Sequence, residues 1–515
     1  MTSLNEAKRD IQGFITSGYG HTYQAAYLFL RVMDTAQAKD WLKQVVPQVL
    51  TAESWRKNDQ PCAPGEDRPP KIYPERILNI ALSFEGLAAL GLSDASLRTF
   101  PPEFQQGMGA SPRSLALGDI GTSSPDSWQI GSPTSEPYHI LLLLHAGMSA
   151  DDPSANEAEI QKFVDEVISG LQGVEVVHTE WGYRRPDDKE HFGFKDGISQ
   201  PRLQGINLYD GDGKPIKDGI ATGEFILGYL NAFGLFPSVP VVAWEDDPEN
   251  ILPLYENPRQ AHPLSRSGHL KDFGANGTYL VYRKMSQNVP AFWHFIQDEV
   301  ERIDGAVTSE RMIWLASKMV GRGPNGDPLV ADLAALKHQN DFTFAESDQD
   351  GLHCPFGSHL RRTNPRDSFH PVGAEEAAAT TAKHRILRRG RIYGDVLFGL
   401  EMLDSGDLTQ LDELLSLEDD GAERGLHFIC VNASIPRQFE FIQSNWVNNP
   451  HFNTLYQSKD PIIGDNGDPE QPASYMHVPT DTVRVRTQPL PRFVDVLGGG
   501  YFFMPSLTAL RFLAG

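Results

Sequence analysis

Three stretches hold the residue types best suited to chemistry. "HCPFGSHLRRTNPR" (353–366) gathers His353, Cys354, His359 and three arginines. "KHRILRRGRIYG" (383–394) opens with six basic side chains in nine positions: Lys383, His384, Arg385, Arg388, Arg389 and Arg391. "HFGFKDGISQP" (191–201) sets Asp196 against Gly197 in a glycine-flanked bend. A histidine can ligate a metal or move a proton, although a lone one is more often a surface or satisfied core residue. His353 and Cys354 are adjacent and point different ways, with no second pair, so zinc is not specified. A basic run is usually a solvated face, but Ile386 and Leu387 interrupt this one. On an extended segment Arg385 and Leu387 share one side, while Ile386 and Arg388 share the other. One arginine is then drawn inward, and a buried guanidinium needs an anion, either a carboxylate or a bound ligand. Asp-Gly is ordinarily a turn signal, so Asp196 either turns the chain or carries a proton.

The elements that must position these residues follow from hydrophobic periodicity. "YQAAYLFLRVM" (23–33) reads as a strand, followed by a helix with Asp34 as its N-cap. "ILNIALSFEGLAALGL" (77–92) starts as a buried strand and becomes helix at about Ser83. Residues 58–74 read as loop, and 118–137 as a Gly/Ser/Pro-rich connection. "YHILLLLHA" (138–146) suits a central strand; 157–171 is an amphipathic helix and 174–183 a strand. The order partly recurs as strand 277–285, helix 289–300, strand 425–433, helix 436–446 and strand 499–506. Strand–helix–strand–strand–helix–strand predicts an α+β fold with two ferredoxin-like modules, antiparallel sheets flanked by helices. The junction is placed between residues 190 and 230, giving an N-terminal domain over 1–215 and a C-terminal one over 216–515. The Asp196 bend then sits at a domain cleft, where ligands usually bind.

The whole chain bounds the function. It has 515 residues, 40% hydrophobic and 22% charged, enough for about two to four domains. No apolar run is long enough to cross a bilayer. Forty-five basic against 68 acidic residues leave a net charge of −23, which disfavours nucleic acid and anionic membranes as partners. Cys62, Cys354 and Cys430 form no disulfide framework, which fits a reducing compartment. The N-terminus lacks a secretory h-region, so the expectation is a cytoplasmic protein; a secreted one with its signal removed is the alternative. There is no P-loop and no nucleophile elbow, and "DGDGK" (210–214) lacks the later ligands of a calcium loop.

Taken in order, "DIQGFITSGYGHTYQAAYLFLRV", "GFKDGISQP", "FGANGTYLVYRKM", "CPFGSHLRRTNPR", "HRILRRGRIYG", "GLHFICVNASIPRQFEFIQSNWVNNP" and "GGGYFFMPSLTALRFLA" resemble the dye-decolorizing peroxidases. This is a haem family of the dimeric α+β barrel type, and the likeness is greatest to its longer fungal and bacterial subgroup. The resemblance implies one haem b per chain with His359 as proximal iron ligand, and Asp196 and Arg388 as the distal pair. Arg389 is the alternative arginine. It further implies Arg366 at a haem propionate, Leu426 and Phe428 as walls of the distal pocket, and Asp460 as the carboxylate on the proximal imidazole. The family's "RGIPYG" is "RGRIYG" here, which leaves the course of that loop open. The implied reaction reduces hydrogen peroxide and oxidises dyes, phenolics and other bulky aromatics, in a monomer or homodimer. Histidine-held iron keeps one axial position for peroxide. Asp196 would accept and return the peroxide proton while Arg388 supplies fixed positive charge. Bulky reductants would be oxidised at a distance, with Tyr393 and Trp446 lying where surface radical sites occur in some relatives. Haem storage, delivery or iron removal on the same fold, or anion binding by the 383–391 cluster, are the rival readings.

Overall fold

The computed structural model describes residues 4–53, 73–206, 219–256, 269–336, 338–369, 371–397, 418–480 and 483–515. Most of the loop expected at 58–74, and Cys62 with it, lies outside them.

The nine-residue run Gln24–Val32 forms β1, and six successive residues within it are buried. Burial on both faces is what its near-continuous apolar sequence requires. Ala26, Leu28 and Leu30 pack toward helices, while Ala25, Tyr27 and Phe29 point into a separate apolar cluster. β1 is flanked by β3 (Ile140–Ala146) and β4 (Val174–Tyr183), and β2 (Ile77–Leu82) lies beyond β3, all antiparallel. Helix α1 (Thr35–Val45) starts where Asp34 accepts from the Gln37 amide at 2.9 Å, and buries Ala38, Trp41, Leu42 and Val45 at helical spacing. Helix α2 (Pro153–Ser169) is capped in the same way by Asp152.

The second half repeats the arrangement. Strand β5 (Thr278–Gln287) pairs with β8 (Gly425–Asn432) on one side and β9 (Val494–Met504) on the other. Two short pieces, β6 (Leu387–Arg388) and β7 (Arg391–Tyr393), pair with the far edge of β8. The strand order is β5-β9-β2-β3-β1-β4-β7-β8-β6, and the additional β5–β8 pairing closes it into a barrel. Each seam between the halves is a single residue pair, Phe503↔Leu82 and Tyr183↔Ile392. The barrel interior is aromatic and aliphatic, with Tyr27, Phe29, Tyr282 and Phe502 fully buried in it. Helices α3 (Val289–Asp304) and α4 (Ser309–Val320) cover the second sheet's side, followed by the one-turn α5 (His359–Thr363). The last helix, α6 (Leu507–Ala514), crosses back onto α1.

Three elements depart from the sequence expectation. β9 begins at Val494 rather than 499, because Val494 and Val496 continue the pairing with β5 across a bulge near Gly498. The helix expected at 436–446 starts only at Phe439 and widens into a π-helix over Ile442–Val447. The Asn448 amide there bonds back to the Gln443 carbonyl, five residues earlier. Helix α4 was not expected, although Thr308 caps it and Met312, Leu315, Ala316 and Met319 form its buried stripe.

Candidate active site

One cavity between the second sheet and the helices collects most of the expected site residues. His359, Asp196, Arg388, Leu426 and Phe428 all line it. A second cavity, lined by Gly18, Tyr183, Arg184 and Arg391, shares Asp196, Arg388 and Leu426 with the first. The Asp196–Arg388 pair therefore stands where the two spaces meet.

His359 opens α5, whose position is fixed from below by two buried arginines. Arg361 donates to Asp348 Oδ2, to the Asp348 and Cys354 carbonyls and to Ser368 Oγ. Arg362 donates to the carbonyls of Trp446, Val447, Asn449 and Ser458. That clamp draws the 458–463 turn against α5 and sets Asp460 Oδ2 3.0 Å from His359 Nδ1. Asp460 is wholly buried, and its other oxygen accepts from the Ile462 and Ile463 amides at 2.9 and 3.0 Å. Burial alone would push the Asp460 carboxyl up, but His359 and the Ile463 amide outweigh it and hold the group ionised. With a carboxylate on Nδ1, that nitrogen carries the imidazole proton and Nε2 keeps its lone pair. Burial lowers the affinity of His359 for a second proton, and Asp460 more than restores it.

Arg388 and Arg389 are separated by strand alternation. Segments β6 and β7 keep one register against β8, through Cys430↔Arg388, the Arg389 amide on the Ile429 carbonyl, and His427↔Arg391. Arg388 and Ile392 thus share one face, while Leu387, Arg389, Arg391 and Tyr393 share the other. Arg389 donates to the Phe14 and Ile15 carbonyls, and Arg391 to those of Gly18, Tyr19 and Thr22. Arg388 Nη1 instead lies 2.6 Å from Asp196 Oδ1. Only glycine fits between the two pieces, since a Cβ on Gly390 would stand 2.5 Å from the His427 carbonyl oxygen. The "RGRIYG" departure thus leaves the strand paired. Arg385, expected to follow Leu387 away from Arg388, also lines the cavity, because the chain before Leu387 is not extended strand.

The Asp196 bend is held by a carboxylate that sequence reasoning missed. Glu190 accepts from the Phe192 amide at 2.9 Å, the Phe194 amide at 3.0 Å and the Gln287 side chain at 2.5 Å. Gly193 and Gly197 both take positive φ, +94° and +80°, within and just past this loop. Burial tends to raise the Asp196 carboxyl, but Arg388, the Gly197 amide and His359 together hold it below its usual value. Glu190 goes the other way: burial pushes it up to about 7 against its three donors. Asp272, buried beside the Ala275 and Gly274 amides, is likewise pushed up to about 7. A raised carboxyl binds its proton more tightly folded than unfolded. The resulting stabilisation is complete below about pH 4 and lost as pH rises through 7. The melting temperature should accordingly rise as pH falls from about 8 to about 6, each carboxyl contributing on the order of 1 kcal/mol. Glu190→Gln and Asp272→Asn should each flatten that slope in a thermal melt.

Leu426 and Phe428 face the cavity from β8, and Met285 and Gln287 join them from β5. Arg366 does not line it: its guanidinium stacks 3.8 Å over Phe342 and donates to the Asn340 and Phe342 carbonyls. Two arginines that no motif singled out as site residues do line it, Arg322 and Arg385. Arg322 donates to the Gly326 and Gln339 carbonyls, and Arg385 has no acidic partner among the described residues. Burial and the neighbouring Arg388 push Arg385 down to about 10; burial first, and Arg388 among its neighbours, do the same to Arg322. Burial, Arg385 and Arg322 push Arg366 down to about 9. Such a cluster is short of negative charge and suits a ligand bearing carboxylates. Tyr393 and Trp446 are both interior, 7% and 2% exposed, so neither is a surface residue.

Residues 10–186 match the model of the DyP dimeric alpha+beta barrel domain. Peroxidase 2 of Mycetinis scorodonius is 29% identical over 98% of this chain and 86% of its own length. The dye-decolorizing peroxidase of Exidia glandulosa is 26% identical over 99% and 87%. The solved structure of an ancestral D-type dye decolorizing peroxidase superposes over 98% of both chains with a TM-score of 0.67 and 27% identity. A closed barrel of two antiparallel α+β halves, with a peroxidase likeness running the length of the chain, leads to one conclusion: this chain carries a DyP dimeric alpha+beta barrel domain over residues 10–186 and is similar throughout its length to the dye-decolorizing peroxidases.

Proposed function

We propose that the cavity binds one haem b and that Asp196 and Arg388 carry the acid–base and charge-stabilising work of peroxide reduction. The observation that supports this best is that a histidine–carboxylate pair and a carboxylate–guanidinium pair line one cavity walled by Leu426 and Phe428. The residues fit haem on their own chemistry. His359 Nε2 is a neutral nitrogen donor backed by Asp460, and Arg322 and Arg385 offer positive charge for two propionates, with Arg366 behind them. Leu360, Ile386, Phe439 and Ile463 supply apolar surface for a flat macrocycle. Haem, when bound, would supply the iron redox chemistry that reduces peroxide.

Asp196 Oδ1 is engaged by Arg388, which leaves Oδ2 to accept the proton of the inner peroxide oxygen and return it to the outer one as water leaves. Arg388 holds fixed positive charge where that oxygen gains negative charge, and needs no reorganisation to do so. Leu426 and Phe428 keep the space narrow and dry. Peroxide reaches the pair through the adjoining cavity, and dyes, phenolics and other bulky aromatics give up their electrons from outside. The division expected at residue 215/216 falls outside the described residues; on that reading Asp196 comes from the first module and His359, Arg388 and Asp460 from the second. The buried free thiols Cys354 and Cys430 suit a reducing, cytoplasmic location.

One titration tests the reading. Protein mixed with haem should develop a Soret band saturating at one haem per chain, and that band should change on adding peroxide and return with a phenolic reductant. A band that forms but does not respond to peroxide would leave a haem carrier instead.

A further inference from the structure

His427 stands between the two cavity-wall residues, and strand alternation turns it the opposite way, into the barrel. Its ring lies among Tyr393, Tyr27 and Tyr282, with centroid separations of 4.6, 5.3 and 5.9 Å. The Tyr282 hydroxyl is 2.9 Å from His427 Nδ1, and Nε2 is 3.0 Å from the Trp181 carbonyl oxygen. A carbonyl only accepts, so Nε2 carries the proton and Nδ1 a lone pair, and the Tyr282 hydroxyl is the donor to it. Both side chains are fully buried. We propose that Tyr282 is a redox-active residue of this peroxidase, giving one electron to the peroxide-oxidised enzyme while its phenolic proton moves to His427 Nδ1.

Removing an electron from a phenol makes it a strong acid. In an apolar interior the cation left behind is costly unless a base takes the proton at once. Among the three tyrosines around His427, Tyr282 is the one whose hydroxyl is hydrogen-bonded to that ring. The Tyr27 hydroxyl has no hydrogen-bond partner among the described residues, and at Tyr393 the Lys284 ammonium, 5.0 Å over the ring, makes an electron harder to withdraw while Glu423 and Glu180 act the other way. Burial first, against the pull of Glu180, pushes His427 down to about 4, so its Nδ1 is free at neutral pH. When the proton arrives, Glu180 Oε2, 3.8 Å from Nε2, faces the new imidazolium.

The electrons balance within ordinary peroxide turnover. Reducing one peroxide to two waters takes two electrons and two protons, and Tyr282 lends one of the electrons. An aromatic reductant then returns that electron, and the proton goes back from Nδ1 to the phenoxyl oxygen. The reductant's own proton goes to solvent, which makes good one consumed in forming water. Two reductants are oxidised per peroxide. Trp181 is 41% exposed, so the pair lies one hydrogen bond and one residue from the surface.

The inference rests on the peroxide chemistry proposed above, and the test separates the two. Holoenzyme is mixed with one equivalent of peroxide, without reductant, and freeze-quenched for electron paramagnetic resonance. The expected signal is a phenoxyl radical that narrows with ring-deuterated tyrosine and couples to nitrogen in ¹⁵N-histidine protein. Tyr282→Phe should lose it with the Soret band intact, and Tyr393→Phe should keep it. Survival of the signal in Tyr282→Phe, or its loss in Tyr393→Phe alone, overturns the assignment. So does a wild-type enzyme that consumes peroxide and shows no phenoxyl signal. If Tyr282→Phe does not fold, the histidine coupling in wild type decides, and its absence is equally fatal. Failure to bind haem or consume peroxide sinks the preceding reading, and this one with it.

Discussion

Arg388→Leu should slow the first reaction of the haem-loaded enzyme with peroxide by about two to four orders of magnitude. Stopped-flow absorbance at the Soret band reads that rate directly. The substitution removes the positive charge at the reacting oxygen and leaves Asp196 without its 2.6 Å partner. The second loss has its own signature. In wild type Arg388 is the main influence holding the Asp196 carboxyl below its usual value against burial. The rate should therefore stay level from neutral pH down past about pH 4 and fall only as Asp196 takes up a proton. Without the guanidinium, burial dominates, and the acid limb should move to higher pH. Asp196→Asn should lower the rate comparably and abolish the limb. An unchanged rate in Arg388→Leu would show that the cavity arginine plays no part in peroxide reduction. Arg389→Leu is the control, because its guanidinium is spent on the Phe14 and Ile15 carbonyls and its damage should appear in the melting temperature.

The other large effect belongs to His359. His359→Ala should abolish axial nitrogen ligation and with it peroxide-dependent dye oxidation, whether or not haem still lodges in the cavity. The Soret position and its response to imidazole report which occurs, since added imidazole should restore a nitrogen-ligated spectrum. Asp460→Asn is the graded version. An amide still occupies the space and bonds Nδ1, but withdraws the negative charge that makes the imidazole more electron-donating. Its expected effect is a raised reduction potential with haem retained, measured by redox titration. A potential equal to wild type would leave Asp460 with a packing role only.

Much of the frame was legible because burial leaves a periodic trace. The apolar runs at 24–32 and 140–146, the Asp34 cap and the helix start near Ser83 are found where their residue types require. The fold class followed from element order. Helix α4 had the same kind of trace, an apolar stripe between Thr308 and Gly321, and went unread. The π-helix at 442–447 had none, since its widening comes from packing against α5 and the cavity. For the site, Asp196, His359, Asp460 and Arg388 were named through resemblance, and the strand register sets Arg388 and its alternative Arg389 on opposite faces. Arg385 was read in the basic run but set on the side away from Arg388, whereas Arg322 and Glu190 stayed hidden for a different reason. Each is ordinary in its own segment and acquires meaning from what the barrel sets beside it.

The two single-pair seams also govern how the protein is made. Asp196 and Arg388 are separated by 192 residues, and the strand that meets Leu82 at Phe503 is β9. Contacts of such long sequence separation pay their loop-closure entropy before any packing returns it, and they form late. During synthesis the first sheet can fold on the ribosome, but its edges must wait for strands several hundred residues downstream. The cavity has no complete wall until then, so the haem proposed for it would have to enter a barrel that has only just shut.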